Sequence, residues 1–261
     1  MMWIEFALIG LLAGYLAGFL GIGGGFVVVP ALTFLLLKDP ATAPWAIHMA
    51  VATSLATMLV TSLSSILAHH RKRAISWPLV RSMSVGLMAG AIVGAIIAGL
   101  LQGDVLVRVF GLFALLAGLR IFFARQPIGQ KPLPGKLGTS GVGGVIGSIS
   151  SLIGIGGGTM TVPWLLWHGV RAQNAVATSA ACGYPIAIAG TLSFIILGRV
   201  GGLTEGVLGY VHLPAFLGIA ITSALAAPLG VATVHRLSPT AVKRVFGIFL
   251  LIVGIRMMIG F

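Results

Sequence analysis

Charged residues are scarce in this chain of 261 residues, and acids are the scarcest. Only 8% of the residues are charged, and 4 Asp and Glu stand against 16 Lys and Arg, which gives a formal net charge of +12. A soluble domain carries about 25% charged residues, so this composition excludes an ordinary soluble protein. A basic chain often binds nucleic acid, but this one has no polar face for such a surface, so nucleic acid is not an expected partner.

Cysteine is almost absent as well. Cys182 is the single cysteine, which excludes an intrachain disulfide and a thiolate metal cluster. No Asp or Glu falls in a predicted membrane interior, so a carboxylate proton relay is not expected. A membrane enzyme or an assembly factor would need clustered acids, metal ligands or a soluble face. We therefore expect no catalytic residues, no metal and no cofactor, and predict a transport protein rather than an enzyme.

Hydrophobic residues make up 58% of the chain, and 38 residues are glycine. Continuous apolar runs of membrane-spanning length predict an all-α polytopic membrane protein. We predict a first repeat over 1–124, a cytoplasmic linker over 125–136 and a second repeat over 137–261. Each repeat is a glycine-broken hairpin followed by three transmembrane helices: hairpin 4–37 with helices 46–68, 77–101 and 105–124, and hairpin 137–168 with helices 174–198, 209–234 and 240–260.

Four motifs recur in the same order on either side of the linker. Gly-Ile-Gly-Gly-Gly with a later proline occurs at 21–25 and 154–158, and Ala-Val-Ala-Thr-Ser at 50–54 and 175–179. Pro78 corresponds to Pro214, and Arg-Val-Phe-Gly occurs at 108–111 and 244–247. The offsets are 133, 125, 136 and 136 residues. Four matches in register predict an internal repeat.

The basic residues predict how the repeats are oriented, because short Lys- and Arg-rich loops stay cytoplasmic. The Arg71–Arg73 loop and the linker are then inside, and each half makes an odd number of crossings. The halves are therefore predicted to be inverted, with both termini periplasmic or extracellular. Of the 16 bases, 12 fall on the cytoplasmic side. The four exceptions are Lys38, Arg108, Arg199 and Arg256. The four acids, which were not used for the assignment, all fall outside: Glu5, Asp39, Asp104 and Glu205.

Each glycine run interrupts a helical stretch at predicted membrane depth. Non-helical backbone in a membrane is tolerated where it is buried in protein or lines a wet cavity, and glycine lets a solute approach it. The short helix that follows presents its unpaired N–H groups and positive dipole end to that cavity. Broken helices at matching positions of inverted repeats are typical of transporters, and the helix N-termini favour an anion. The alternative is that these glycines only permit tight helix packing, which is the simplest interpretation of Gly86, Gly90 and Gly94.

Hydroxyl side chains from both halves form the second part of the predicted site. Thr53 and Ser54 correspond to Thr178 and Ser179, and each pair lies near the start of a helix that follows a hairpin. They could supply neutral donors to a small oxyanion, or they could bond to their own helix backbone. Further polar candidates lie close to the motifs: Thr159, Thr161, Gln173, Asn174 and His48. For His48 a packed or interfacial position is the alternative interpretation.

The paired glycine motifs, each followed by Ala-Thr-Ser, resemble the TauE/SafE family of sulfite and organosulfonate exporters. The resemblance covers essentially the whole chain. It implies a carrier in the bacterial inner membrane for small sulfur-containing anions such as sulfite or sulfoacetate, working by alternating access. Carried over from the family, the glycine-rich segments are Gly21, Gly23, Gly24 and Gly25, and Gly154, Gly156, Gly157 and Gly158. The second half is eight residues shorter between its glycine and Ala-Thr-Ser motifs, so the two half-sites need not contribute equally.

Export of an anion agrees with the electrostatics. An inside-negative potential drives one negative charge outward with about 2.3 kcal/mol per 100 mV, and cytoplasmic bases concentrate anions at the inner mouth. The same bases are expected to bind anionic lipids of the bilayer. An uptake carrier or a channel-like pathway for another small anion or solute is the alternative function, and the sequence leaves a homodimer open.

Overall fold

The computed structural model describes residues 2–20, 24–123, 132–198, 206–233 and 239–260, apart from the side chains of residues 20 and 239–243. Within these residues the chain forms ten α-helices, which confirms the all-α prediction. They are α1 (Met2–Leu20), α2 (Gly25–Leu36), α3 (Ala46–Arg71), α4 (Trp77–Leu100), α5 (Gly103–Phe123), α6 (Lys136–Ile153), α7 (Gly158–Trp167), α8 (Ala172–Leu197), α9 (Leu213–Thr233) and α10 (Pro239–Ile259). A short 3-10 helix over Ala43–Trp45 leads into α3.

Six of these helices are long and apolar enough to cross a membrane: α1, α3, α4, α5, α8 and α9. Their outward faces carry exposed leucine, isoleucine and valine, as expected for surfaces that contact lipid. The helix α10 has 21 residues but also contains Lys243, Arg244 and Arg256, so its crossing remains a prediction. The chain is thus a multi-pass membrane protein.

Each half begins with a long helix, a glycine turn and a short helix. The 19 residues of α1 extend about 28 Å, nearly the ~30 Å hydrocarbon core, whereas the 12 residues of α2 extend about 18 Å. The short helix α7 has 10 residues. Most of the length difference between the halves lies in the next connection, which covers 37–45 in the first half and 168–171 in the second.

One predicted helix begins later than expected. Residues 209–212 belong to an antiparallel hairpin, in which Val207–Leu208 (β1) pairs with Val211–His212 (β2), and the helical prediction for them was wrong. Gly209 has a φ of 60°, a value that favours glycine over other residues. It also lies directly against the backbone of Ile195 in α8, where a Cβ would not fit. The hairpin therefore depends on a close approach between distant segments.

The most extensive helix contacts join the two halves and occur in matching pairs. The helix α4 packs on α6, and its counterpart α9 packs on α1. Likewise α4 packs on α8, and its counterpart α9 packs on α3. Two further contacts join a helix to its own counterpart, namely α3 to α8 and α5 to α10. If each helix is replaced by its counterpart in the other half, every one of these helix pairs is again a pair in contact. A two-fold relation between the repeats would produce such matching pairs; this relation and the opposite membrane orientation of the halves remain predictions.

Small residues allow the backbones of these helices to touch. Two glycines of α1 lie against carbonyls of α9, and the corresponding glycines of α6 lie against the corresponding carbonyls of α4. The pairs are Gly10 with Ile219, Gly14 with Ser223, Gly143 with Met83, and Gly147 with Leu87. Gly86, Gly90 and Gly94 in turn contact the backbone of α6, which confirms that they form a packing face.

Candidate functional site

The two glycine turns contact each other in the interior of the protein. A Cβ added to Gly25, the first residue of α2, would overlap the carbonyl oxygen of Gly154. Gly24 and Gly154 have φ angles of 74° and 69°, so both need the conformational freedom of glycine. Gly21 and Gly23 lie outside the described residues. The close approach leaves no space for a solute between Gly25 and Gly154 themselves.

Ser54 joins the first Ala-Thr-Ser motif to the second glycine turn. Its hydroxyl donates a hydrogen bond of 2.7 Å to the carbonyl oxygen of Gly154, and the Ser54 side chain is fully buried. Its counterpart Ser179 donates instead to the carbonyl oxygen of Val176 on its own helix. The two serines therefore have different roles in this conformation, although the sequence motif around them is the same.

The two threonines of the motifs make the same contact in both halves. Thr53 accepts a hydrogen bond of 2.9 Å from the backbone N–H of His212, which belongs to the second half. Thr178 accepts one of 3.0 Å from the backbone N–H of Ser76, which belongs to the first half. Ser76 and His212 are themselves counterparts at the offset of 136 residues. Thr53 thus joins α3 to the connection that precedes α9, and Thr178 joins α8 to the connection that precedes α4.

A small cavity with a mainly apolar surface lies between α3 and its counterpart α8. Its volume is about 10 Å³, which is about the space needed for one water molecule. Gly156, Ser179 and Gly183 line one side of it, and no lining residue is charged. The other side consists of Ala17 and a group on α3, namely Met58, Thr61, Ser62 and Ser65. The cavity therefore contains two residues of the predicted site, one from a glycine turn and one from an Ala-Thr-Ser motif.

Sequence analysis identified Thr53 and Ser54 on α3 but missed the buried hydroxyls that follow on the face of Ser54. Ser54, Thr57, Thr61 and Ser65 recur every three or four residues and so share one helix face, and each is buried. The same positions of α8 hold Ser179, Cys182, Ile186 and Gly190. The period of 3.6 in polar residues was a signal that could have identified this face. The stripe belongs to α3 alone, which makes the interior of the site asymmetric.

His48 occupies the opposite end of α3 from the cavity. Its Nε2–H donates to the carbonyl oxygens of Ala98 and Leu101, at 3.2 and 3.1 Å. The ring stacks on Tyr210 with centroids 5.4 Å apart. These contacts place the ring in a packed environment next to the β-hairpin. They do not bring it to the cavity.

The remaining candidates divide into two groups. Gln173 and Asn174 lie at the start of α8. Asn174 donates from Nδ2 to the carbonyl oxygen of Ala74 at 3.1 Å, and Gln173 is exposed. Thr159 and Thr161 lie in the first turn of α7, and their hydroxyls are buried without a hydrogen-bond partner among the described residues. Gly157 and Gly158 form the start of the same helix.

The profile of the family described as "Sulfite exporter TauE/SafE" matches residues 6–257. The chain belongs to the TauE/SafE family. A TauE/SafE chain of this kind is a membrane transporter, which agrees with the prediction of a transport protein rather than an enzyme.

Relatives of this TauE/SafE chain carry the general name "probable membrane transporter protein". One from Haemophilus influenzae is 35% identical over 254 residues, which cover 96% of each chain. One from Methanocaldococcus jannaschii is 28% identical over 256 residues, covering 97% of this chain and 94% of the relative. The Bacillus subtilis protein YunE is 27% identical over 223 residues, covering 78% and 82%. No solved structure matches the chain.

Among the described residues outside the membrane-spanning segments, His212 has its titration shifted by its surroundings. Burial lowers the pKa of His212 below its ordinary value of 6.5, although Asp39 opposes this shift. Its Nδ1 accepts a hydrogen bond of 3.2 Å from the backbone N–H of Ala215 in the first turn of α9. Both observations favour the neutral ring.

Proposed function

We propose that this protein carries small sulfur-containing anions, such as sulfite or sulfoacetate, across the bacterial inner membrane by alternating access. The single observation that supports it most is the uncharged cavity between α3 and α8, whose lining includes Gly156 of a glycine turn and four hydroxyl side chains. Neutral donors suit a small anion that must be bound and then released. The family description supplies the substrate class.

In this proposal the anion binds beside the second glycine turn rather than between the two turns. The N–H groups at the start of α7 have no partner within the helix and face the turn. Ser179, Thr61 and Ser62 line the adjoining cavity. Ser179 and Thr61 donate to carbonyl oxygens of their own helices in this structure, so they would have to exchange those bonds for bonds to the anion. The cavity holds about one water molecule, so a larger solute requires the surrounding helices to separate.

The hydrogen bonds between the halves give the rocking motion a structural basis. Ser54 with Gly154, Thr53 with His212, and Thr178 with Ser76 all join segments of different halves. If the halves are inverted, the Thr53 and Thr178 bonds lie near opposite membrane faces. Breaking one while keeping the other would open the site to one side only.

The proposed direction is export, with the Arg71–Arg73 loop inside and both termini periplasmic. Arg71 and Arg73 line a surface groove together with His70, Ile75 and Trp77. This groove would attract anions to the inner mouth and would also bind anionic lipid headgroups. An inside-negative membrane potential would then favour outward movement of the anion.

Counterflow in proteoliposomes tests the proposal. Gly183 lines the cavity, and a Cβ there would lie 3.4 Å from Ser62 Oγ, which is an ordinary contact. Gly183→Leu adds three carbon atoms beyond this Cβ, so its folding is checked by size-exclusion chromatography; the folded variant should fill the cavity and abolish exchange of radiolabelled sulfite. Gly141→Leu is the matched control, because nothing lies within 4 Å of a Cβ at Gly141.

The assay also separates a carrier from the alternative pathways. A carrier shows saturable uptake that is stimulated by anion on the opposite side, whereas a channel shows neither. Unchanged sulfite exchange in folded Gly183→Leu would contradict the site. Failure of the wild type to exchange any sulfur anion would contradict the substrate class.

A further inference from the structure

A cavity of about 430 Å³ lies where α5 begins and where α2 and α10 end. This volume is within the range of cavities that bind small molecules and cofactors. Its lining includes Thr33 of α2, Asp104 and Arg108 of α5, and Met258 and Ile259 of α10. None of the described residues that line it belongs to the proposed transport site, so this cavity needs an explanation of its own.

The cavity opens at the edge of the lipid-facing surface. Helix α5 has 21 residues and extends about 31 Å, close to the thickness of the hydrocarbon core, so its first turn lies near the membrane–water interface. Three apolar side chains of the lining are exposed, namely Leu37, Met258 and Ile259. A ligand in this cavity would therefore have polar surroundings at one end and hydrocarbon at the other, as a phospholipid does.

One residue of the repeated Arg-Val-Phe-Gly motif belongs to this cavity. The ring centroid of the fully buried Phe110 lies 6.0 Å from that of Phe26, and a Cβ on Gly111 would lie 3.1 Å from the carbonyl oxygen of Gly254. Helix packing therefore accounts for the end of the motif. Arg108 is exposed, lines the cavity and makes no hydrogen bond or ion pair with any described residue, so packing does not account for the arginine.

Asp104 stands one helical turn before Arg108 and lines the same cavity. Residues four apart share a helix face, yet no ion pair joins these two side chains, and no described residue pairs with Asp104. The dipole of α5 favours an acid in its first turn but supplies no partner for Arg108. A ligand that carries a phosphate next to an ammonium group would satisfy both side chains.

The second half repeats the arginine but not the acid. At the offset of 136 residues, Arg108 corresponds to Arg244, which is also exposed, and Asp104 corresponds to Thr240. A base at this position of each half suits a phosphate at each end of the protein. The acid occurs in the first half alone, so an ammonium group is expected only at the cavity described above.

We infer that this cavity binds the headgroup of a phospholipid with a primary amine, such as phosphatidylethanolamine. The phosphate contacts Arg108, because a guanidinium group forms charge-assisted hydrogen bonds with phosphate oxygens. The ammonium group contacts Asp104, and the acyl chains extend along Met258 and Ile259. The inference goes beyond the proposed function and depends neither on the sulfur substrate nor on the direction of transport.

A photoreactive phosphatidylethanolamine, with the reactive group in an acyl chain, tests the site in the purified, folded protein. Crosslinking to Met258 and Ile259, measured by peptide mass spectrometry, reports this cavity. Crosslinking to Leu225, an exposed side chain of α9, gives the background from lipid that surrounds the protein. Unlabelled competitors are phosphatidylethanolamine, phosphatidylglycerol, which has the phosphate without the amine, and soluble phosphoethanolamine, which has the headgroup without the chains.

The variants separate the two charges of the site. Arg108→Gln removes the guanidinium, Arg108→Lys keeps a positive charge, and Asp104→Thr introduces the residue of the second half. Arg256→Gln and Glu5→Gln are the matched controls, because both side chains are exposed and neither lines the cavity. Size-exclusion chromatography confirms that each variant is folded before it is labelled.

The wild type should crosslink at Met258 and Ile259 above the Leu225 background. Unlabelled phosphatidylethanolamine should compete about 5-fold better than phosphatidylglycerol, which is the effect of one partly exposed ion pair. Arg108→Gln should need about 10-fold more probe for the same labelling, since it loses hydrogen bonds to a charged group, and Arg108→Lys should recover most of this loss. Asp104→Thr should lose the preference for the amine, and the controls should match the wild type.

Several outcomes would overturn the inference. Labelling of the wild type at the Leu225 level, or equal labelling of wild type and Arg108→Gln, would show that the cavity is not a lipid site. Competition by phosphoethanolamine as strong as by the intact lipid would indicate a site for a free solute. A preference for the amine that survives in Asp104→Thr would contradict the role of Asp104. Sulfite exchange is not measured in this experiment, so failure of the proposed function would be detected separately.

Discussion

The hydroxyl of Thr53 accepts the backbone N–H of His212 across the boundary between the two halves, at 2.9 Å. The reciprocal bond from Ser76 to Thr178 is 3.0 Å long. Both threonines are fully buried, so neither amide finds an easy substitute in water if its threonine is replaced. Through these two hydrogen bonds, the Ala-Thr-Ser motif of each half is held to the other half.

We expect Thr53→Val and Thr178→Val each to destabilise the protein by about 1–3 kcal/mol, because a buried N–H group is left without an acceptor. Thr53→Ser and Thr178→Ser keep the hydroxyl and should cost much less. The thermal unfolding midpoint in detergent measures the difference. Valine and serine variants of equal stability would show that these bonds contribute little.

Gly90→Ala should destabilise the protein strongly, because its Cβ would overlap the carbonyl oxygen of Gly144 on α6. Gly141→Ala lies in open space on the same α6 and should gain up to about 1 kcal/mol from better helix propensity. The folded yield by size-exclusion chromatography compares them. Equal yields would mean that α4 and α6 can separate without cost.

Acidification should destabilise the protein partly through His212. Burial lowers the pKa of His212 below 6.5 in the folded state, so the neutral ring is favoured there. The resulting stability is fully present above about pH 6.5 and is lost as the pH falls through the folded pKa. The nearby Asp39 limits the size of this effect.

His212→Asn isolates that contribution, because asparagine can still accept from Ala215 at the start of α9 but does not titrate. The midpoint of the wild type should fall more than that of the variant between pH 7.5 and pH 5. Other histidines titrate in both proteins and cancel in the comparison. Parallel pH curves would contradict the assignment.

The predicted topology can be tested by cysteine labelling in intact cells. Cys182 is fully buried, so it should not react in the folded protein. Single cysteines at Asp39 and Asp104 should react with a membrane-impermeant thiol reagent, and a cysteine at Lys72 should react only after permeabilisation. A cysteine near the N-terminus, at Trp3, should behave like the one at Asp39. Labelling of Lys72→Cys in intact cells would reverse the orientation.

Most helices could be predicted from sequence because apolar runs, prolines and short polar breaks are local signals. Helix α4 was predicted over 77–101 and observed over Trp77–Leu100. The β-hairpin was missed because Gly209 takes its conformation against Ile195, a contact between distant segments. The candidate site was only partly visible. Ser179 and Gly156 belong to motifs, whereas Ser62 lies outside them and becomes a candidate because it lines the cavity.

The sequence by itself determined the membrane class, the repeat, the positions of the two glycine turns and the charge asymmetry, because composition and periodicity express what each segment must contact. The tertiary structure decided which hydroxyls are already bonded. Ser54 is bonded to Gly154, while Ser150 and Thr161 have no partner among the described residues. Identical motifs cannot reveal this difference, because the partner of a buried polar group is set by the packing of segments that are far apart in sequence.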